Sequence, residues 1–397
     1  MISIEVDGKA VGARKGSTIK EALEALGYAI ALFPSEGGLF MPCQMGGCWA
    51  CALDVDGRLM PACTTTVGSG MRIRTGNDMR VASSITPNIK RYDDGRNGKV
   101  SPDSSSDSAA SQGDLAPRRL VGGFLGHQAG GVGTPWWLKG GSVELACFTA
   151  GCNLCCPQCQ NWRFTYAGSL PARPSDLPSD TTSLTALLTP EQAARKMTAA
   201  RRRFAVDRLA VSGGECTLNR PWLVEFLRLL REMNPGAHLH VDTNGSILTE
   251  DYIDKLVQAG MTDIGIDLKA LRTGTFMEIC GLVDGPLAER YLQTAWQAVR
   301  YVHDNYPQVY MGVGIPYNGL LISLDEVIAM GRRIAEIDPW MQVCVLDYRP
   351  EFQRGDLVRP GFWDMMQVHY NLRDCGLLTV VCQTVKGKVG PSGRLVV

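Results

Sequence analysis

The sequence has little charge imbalance, few aromatics and no long apolar run, and each shortage excludes a class of function. Lys+Arg and Asp+Glu both number 40, giving a formal net charge of zero, and aromatics make up only 7% of the 397 residues. Nothing global therefore attracts phosphate backbones or anionic lipid, and nucleic acid is a poor partner. The longest apolar stretch near the start, Tyr28 to Phe33, is far below the ~18 residues a membrane span needs. The opening MISIEVDG lacks the basic and apolar pattern of a leader, so a cytoplasmic chain without a membrane span is expected.

Cysteine is abundant instead. Of the 14 cysteines, Cys43, Cys48, Cys51 and Cys63 form one group, and Cys147, Cys152, Cys155, Cys156 and Cys159 a second; the rest are scattered. Cytosolic thiols are kept reduced, so clustered cysteines in such a chain point to metal ligation rather than disulfides. Two metal centres are the simplest reading.

The chain divides by composition into three parts. Residues 1–92 alternate short β-type runs with turn signals at Asp7-Gly8 and Asp56-Gly57, and Ser17-Thr18 opens a helix that stops at Gly27. Residues 93–120 hold a stretch, Asp93 to Pro117, with six Ser, three Gly and five Asp, too polar to bury a core, and read as a flexible linker. Residues 121–397 alternate β-branched runs with helical segments, the pattern of βα units. Strands are expected near 143–148, 208–212, 238–242, 263–268, 309–315, 341–346 and 378–382. Pro190 and Pro221 each mark a helix start, and Ser323 with Glu326 forms a capping box for another. The fold expected is α/β, an open or partial (β/α) barrel with chemistry at the C-terminal strand ends, preceded by a small β-rich domain.

Cys43-x4-Cys48-x2-Cys51-x11-Cys63 puts three thiolates on one tight loop and a fourth after a hairpin, which suits a 2Fe-2S cluster. Gly46 and Gly47 let that loop curl and aim N–H groups at sulfur. A four-thiolate zinc site, or four unrelated thiols, remains open on spacing alone. The spacing resembles that of plant-type ferredoxin-like domains and of the iron-sulfur subunits of succinate dehydrogenases. The resemblance implies an α+β, β-grasp domain that transfers electrons.

Cys152-x3-Cys156-x2-Cys159 follows the strand VELACFT, so three thiolates project from a loop at a strand's C-terminal end. Three ligands for a 4Fe-4S cluster leave one iron open to an amine and a carboxylate. Cys155 permits a rival x2 spacing, Cys147 points from the strand as a core residue, and Cys216 reads as a small buried thiol or an extra ligand. The spacing, together with VSGGE at 211–215, VDTNG at 241–245 and GIDLK at 265–269, resembles the radical S-adenosylmethionine superfamily, in particular pyruvate formate-lyase activating enzymes. The resemblance implies reductive cleavage of S-adenosylmethionine to methionine and a 5′-deoxyadenosyl radical that abstracts hydrogen from a target. It implies that Gly213, Gly214 and Glu215 bind the methionine moiety, with Glu215 accepting from its ammonium. Asp242 and Asp267 would build a polar floor, and Lys269 would either face the carboxylate or be solvated. Gln158 stands where the family has an aromatic residue, leaving Trp162 as the candidate to stack on adenine. His238 and His240 alternate on one strand and read as packing or solvent residues.

The combined expectation is an anaerobic enzyme in which a 2Fe-2S domain relays electrons to a radical centre. Its partners would be an external low-potential electron donor and a protein substrate such as a glycyl radical enzyme. The alternative is an iron-sulfur electron-transfer subunit of a larger redox complex with lost S-adenosylmethionine chemistry.

Overall fold

The computed structural model describes residues 1–34, 37–43, 45–76, 144–167 and 186–396, with the backbone of 122–130. The expected linker at 93–120 lies outside the described residues.

In the N-terminal part, strands β1 (Ile2–Val6) and β2 (Lys9–Ala13) form a hairpin, turned by Asp7 and Gly8 at φ 48° and 80°. Helix α1 (Ile19–Ala25) starts at Thr18, whose hydroxyl accepts from the Glu21 amide while the Glu21 carboxylate reaches back to the Thr18 N–H. After β3 (Ile30–Ala31) and β4 (Leu39–Phe40) come β5 (Ala52–Val55), β6 (Arg58–Pro61) and β7 (Arg72–Arg74). The main sheet runs β2-β1-β7-β5-β6 and buries Ile4, Val6 and Ile73 against Ile19 and Leu23 of α1. This β-rich sheet with one helix is consistent with a ferredoxin-like domain.

The second part is built on a mixed sheet of 11 strands. Its centre is seven parallel strands in sequential order: β9 (Glu144–Thr149), β11 (Arg208–Gly213), β12 (His238–Thr243), β13 (Asp263–Asp267), β14 (Tyr310–Tyr317), β15 (Gln342–Asp347) and β16 (Val380–Thr384). Strands β8 (Gly122–Gly130) and β10 (Ala186–Leu188) flank one side, and β17 (Gly387–Val389) and β18 (Leu395–Val396) the other, all antiparallel. The seven expected strands thus fall within two residues of their places. Nearly continuous burial along β11 and β15 is what a parallel strand covered on both faces requires.

Each crossover is helical. Helix α3 (Pro190–Phe204) precedes β11, and α4 (Arg220–Met233) follows it; the short α2 (Trp162–Thr165) lies between β9 and β10. Helix α4 buries Trp222, Leu223, Phe226, Leu227 and Leu230, a stripe at helical spacing that faces the sheet. Then come α5 (Glu250–Gln258), α6 (Thr273–Cys280), α7 (Gly285–Asn305), α8 (Leu324–Ile337) and α9 (Phe362–Asp374). Among the described residues no helix is long and apolar enough to cross a membrane.

One cap differs from expectation. Ser323 accepts from the Glu326 amide at 3.2 Å, but the Glu326 side chain does not return the bond. Its buried carboxylate accepts instead from the N–H groups of Leu271 and Arg272, both 2.9 Å, and from the Thr275 hydroxyl and the Arg272 guanidinium, both 2.8 Å. Four donors outcompete one exposed cap amide. Burial alone would raise its carboxyl pKa, yet these donors hold it below the usual value. Its stabilising contribution is therefore present above the ordinary carboxylate range and lost as pH falls through the lowered value. Glu326→Ala should cost about 3 kcal/mol in denaturant unfolding, and Glu326→Gln should flatten the acid-side fall in stability. Unchanged unfolding in both would contradict this role.

Candidate functional site

The C-terminal ends of β9, β11, β12, β13 and β15 open onto one cavity of about 550 Å³. Such an end-of-sheet position is where α/β proteins bind ligands, since the loops there converge and the strand backbone is rigid. Cys152, Cys156 and Cys159, on the loop after β9, all line it. Cys155 is exposed and points out of this set, its N–H held by the Cys280 carbonyl at 2.8 Å. Cys147 is buried in β9, and the Cys216 thiol lies under the Asp242 carbonyl at 3.4 Å.

Burial pushes the thiols of Cys152 and Cys159 up, the latter to about 11. Cys156 goes the other way, because a hydrogen bond from Cys280 outweighs its burial and the Lys269 ammonium adds to it. Cys280, at the end of α6, had no spacing signal in the sequence. A cationic metal centre would displace the remaining protons, as it does whenever thiols ligate.

The glycines at the end of β11, Gly213 and Gly214, have a different reason from the one expected. A Cβ on Gly214 would lie 2.1 Å from the Gly151 carbonyl oxygen, and one on Gly213, at φ 119°, 2.4 Å from the Thr149 N. The cysteine-bearing loop itself fills this space, fixed by Gly214 N–H to Thr149 O and Glu215 N–H to Gly151 O, both 2.8 Å. These glycines press the loop onto β11, while both residues also line the cavity.

Glu215 is 1% exposed and its carboxylate already accepts four hydrogen bonds, from the Thr217 N–H and hydroxyl, the Thr243 hydroxyl and the Asn244 N–H. It ties the end of β11 to the end of β12. Burial pushes its carboxyl pKa up against these donors. Asn244 in turn aims its side-chain amide at Cys152 Sγ, 3.6 Å, and at Asn153 Oδ1, 3.2 Å. Sequence reading missed Asn244, although it stands in the VDTNG segment.

Asp242 lines the cavity with one carboxylate oxygen on the Ser212 hydroxyl at 2.7 Å. Lys269 is only 7% exposed, which removes the solvated alternative. It pairs with Asp267 at 3.0 Å and approaches the Tyr348 hydroxyl at 3.5 Å. Burial opposes its charge, but Asp267 outweighs this and keeps the ammonium charged well above its ordinary range.

Gln158 is fully buried and donates to the Ile279 carbonyl at 2.6 Å. Trp162 is committed elsewhere: its indole N–H donates to Glu351 at 2.8 Å and its ring stacks on Phe352 at 5.3 Å. Two aromatics do line the cavity: Phe148, stacked on Phe164 at 4.6 Å, and Tyr348 beside Lys269. His238 and His240 pair separately, with Asp263 at 3.0 Å and with the buried Glu144 at 3.2 Å. The lining also includes Arg349, Gln383 and Lys388, with the Arg349 carbonyl accepting from the Gln160 side chain at 3.2 Å.

In the N-terminal part Cys43, Cys48, Cys51 and Cys63 are all buried. Cys43 and Cys48 Sγ lie 3.0 Å apart, and Cys63 contacts both Cys43 and Cys51. The amides of Met45 and Ala50, rather than those of the glycines, point at Cys43 and Cys48 sulfur, both at 3.4 Å. Among the described residues no group of three or more His, Cys, Asp or Glu is arranged to hold a single metal ion. The donor chemistry fits iron-sulfur centres at both places: four buried thiols in one loop system, and three thiols on the wall of a ligand-sized cavity.

Residues 147–319 match the radical SAM superfamily, and residues 1–78 match the 2Fe-2S iron-sulfur cluster binding domain. No curated protein matches the chain. A solved domain of the pyruvate-formate lyase-activating enzyme from Bacteroides vulgatus ATCC 8482 is similar at 16% identity and TM-score 0.34, over 44% of this chain and 96% of that one. SuiB from Streptococcus suis, bound to its precursor peptide SuiA, is similar at 13% and 0.41, over 56% of this chain and 43% of that one. The FeFe-hydrogenase maturase HydG from Carboxydothermus hydrogenoformans is similar at 16% and 0.38, over 49% and 45%. The chain spans less than half the length of these last two. Each cysteine cluster falls within one of the two matched regions, and on that basis the chain is a radical S-adenosylmethionine superfamily enzyme that carries an N-terminal 2Fe-2S domain.

Proposed function

We propose that Cys152, Cys156 and Cys159 hold a 4Fe-4S cluster, that S-adenosylmethionine occupies the same cavity, and that Cys43, Cys48, Cys51 and Cys63 hold a 2Fe-2S cluster. The supporting observation is that three thiols, Asp242 and the Asp267–Lys269 pair line one cavity at the ends of consecutive parallel strands. On this reading the seven parallel strands form a partial (β/α) barrel, and residues 1–92 and 121–397 are two domains joined by 93–120.

When bound, the four-iron centre supplies the electron that cleaves S-adenosylmethionine. The residues do the positioning. Lys269, held charged by Asp267, offers a cation to the methionine carboxylate, while Asp242 takes donors on the opposite side. Gly213 and Gly214 hold the cysteine-bearing loop against β11 and so fix where its thiols meet the ligand. Glu215 acts at one remove: it fixes the Thr243–Asn244 turn, and Asn244 places an amide donor beside Cys152 sulfur, which stabilises a more negative thiolate. Phe148 offers an apolar face for the adenosyl group, in place of the missing aromatic at position 158.

The space toward Arg349, Gln383 and Lys388 is left for the target of hydrogen abstraction. The motif resemblance supports a glycine of a partner protein as that target, with an external low-potential donor feeding the N-terminal domain, in an anaerobic cytoplasmic setting. The test is anaerobic incubation of the iron-loaded chain with dithionite and S-adenosylmethionine. Release of methionine and 5′-deoxyadenosine in equal amounts is expected, and no cleavage by a fully loaded chain would overturn the reading.

A further inference from the structure

We propose that the two cysteine loops are held in contact, and that the Gly47–Gly151 junction is the point at which an electron enters the catalytic centre. The proposal rests on the reading of both cysteine groups as iron-sulfur sites.

Gly47 immediately precedes Cys48, and Gly151 immediately precedes Cys152. A Cβ on Gly47 would lie 2.5 Å from Ala150 Cβ and 2.7 Å from Gly151 N. One on Gly151, at φ 82°, would lie 2.7 Å from Cys48 N and 3.2 Å from Cys43 Sγ. The Cys43 sulfur thus abuts the residue bonded to Cys152, so a ligand of one centre is one residue from a ligand of the other. Any side chain at either glycine would push the loops apart. Only glycine permits this approach of two backbones.

Two further contacts fix the orientation. Asn219, the N-cap of α4, donates its side-chain amide to the Cys48 carbonyl at 3.1 Å while its oxygen accepts from Trp222 N–H. On α7, the Tyr291 hydroxyl donates to the Leu32 carbonyl at 2.9 Å, and the Arg290 guanidinium lies over the Phe33 ring at 3.7 Å. Contacts at separate points on two helices prevent the N-terminal part from pivoting about the glycines. The composition of residues 93–120 would allow a swinging relay, whereas this geometry points to a docked one.

In the step proposed, one electron leaves the reduced 2Fe-2S centre, which is oxidised, and reduces the four-iron centre. No atom or proton is transferred, and an external one-electron donor of low potential restores the first centre.

The experiment uses the full chain with Gly47→Val, which adds bulk at the junction without a positive φ, and Asn219→Asp, which keeps an acceptor for the α4 cap but sets a carboxylate against the Cys48 carbonyl. The first readout needs no metal: amide hydrogen exchange over residues 45–51 should be slow in the parent and faster in both variants. The second is microwave power saturation of the reduced 2Fe-2S signal, which should relax faster in the parent than in a chain lacking Cys152, Cys156 and Cys159. Gly47→Val should saturate like that chain, and electron entry from a donor specific to the N-terminal centre should slow by about tenfold, as overpacking depopulates the docked form. Dithionite-driven cleavage should persist in Asn219→Asp. Parent saturation that ignores the second centre, or exchange unaltered by both substitutions, would overturn the docked path. A parent that shows protection at 45–51 but no cleavage would instead overturn the cofactor reading and leave the docking in place.

Discussion

Replacing Cys152, Cys156 and Cys159 together with Ala is expected to abolish cleavage of S-adenosylmethionine while leaving the N-terminal 2Fe-2S signal intact. Each thiol lines the same cavity, and none of the other described cysteines does, so no second cysteine set faces that cavity. Loss should be at least about 10⁶-fold, the lower end of enzymic acceleration, because on the proposed reading the electron enters the ligand only through a centre held by these thiols. The N-terminal thiols have their own burial and their own backbone donors, so their signal should not move. Cleavage retained by the triple variant would sink the assignment of the second centre. Replacing Cys155 instead should leave cleavage in place, since its side chain is exposed outside the cavity set.

Gly214→Ala is expected to have the next largest effect. The added methyl would sit 2.1 Å from the Gly151 carbonyl oxygen, which is backbone and cannot swing aside like a flexible side chain. Relief requires the loop carrying Gly151 and Cys152 to lift from β11, with loss of the Gly214–Thr149 and Glu215–Gly151 hydrogen bonds. Overpacking of this kind costs about 1–3 kcal/mol, and displacement of a ligand loop by about 1 Å can lower turnover by about 10²-fold. The measurement is dithionite-driven cleavage together with iron content. Reduced cleavage at full iron loading would report a misplaced loop, reduced iron a lost one, and parent-like values in both would contradict the close approach.

The substitutions at Gly47 and Gly214 probe the same small region from opposite sides. Gly151 is packed against Cys48 on one side and against Gly214 on the other, so the loop between β9 and α2 is clamped by two glycines from distant parts of the chain.

Local patterns in the sequence carried much of this. Seven strands were legible from β-branched runs, and the starts of α3 and α4 from Pro190 and Pro221, because those signals act within a few residues. The cysteine spacings singled out both thiol groups for the same reason. What could not be read are contacts across the chain. Glu215 looks like a ligand-facing acid in the VSGGE segment, but Thr243 and Asn244, 28 and 29 positions later, consume its acceptors. Gly47 and Gly151 look like ordinary loop glycines until more than a hundred residues of separation are folded to nothing. Cys280 has no cysteine neighbour in sequence, yet α6 delivers it to Cys156. In each case tertiary packing, not local propensity, decides what the side chain meets.

The chain is expected to carry two distinct iron-sulfur centres, only one of which binds S-adenosylmethionine. Electron paramagnetic resonance of the anaerobically purified, reduced protein, recorded with and without S-adenosylmethionine, tests it most directly. Two signals are predicted, with only the one that depends on Cys152, Cys156 and Cys159 changed by the ligand. A single signal, or two signals that both ignore the ligand, would contradict the claim and leave an electron-transfer subunit in its place.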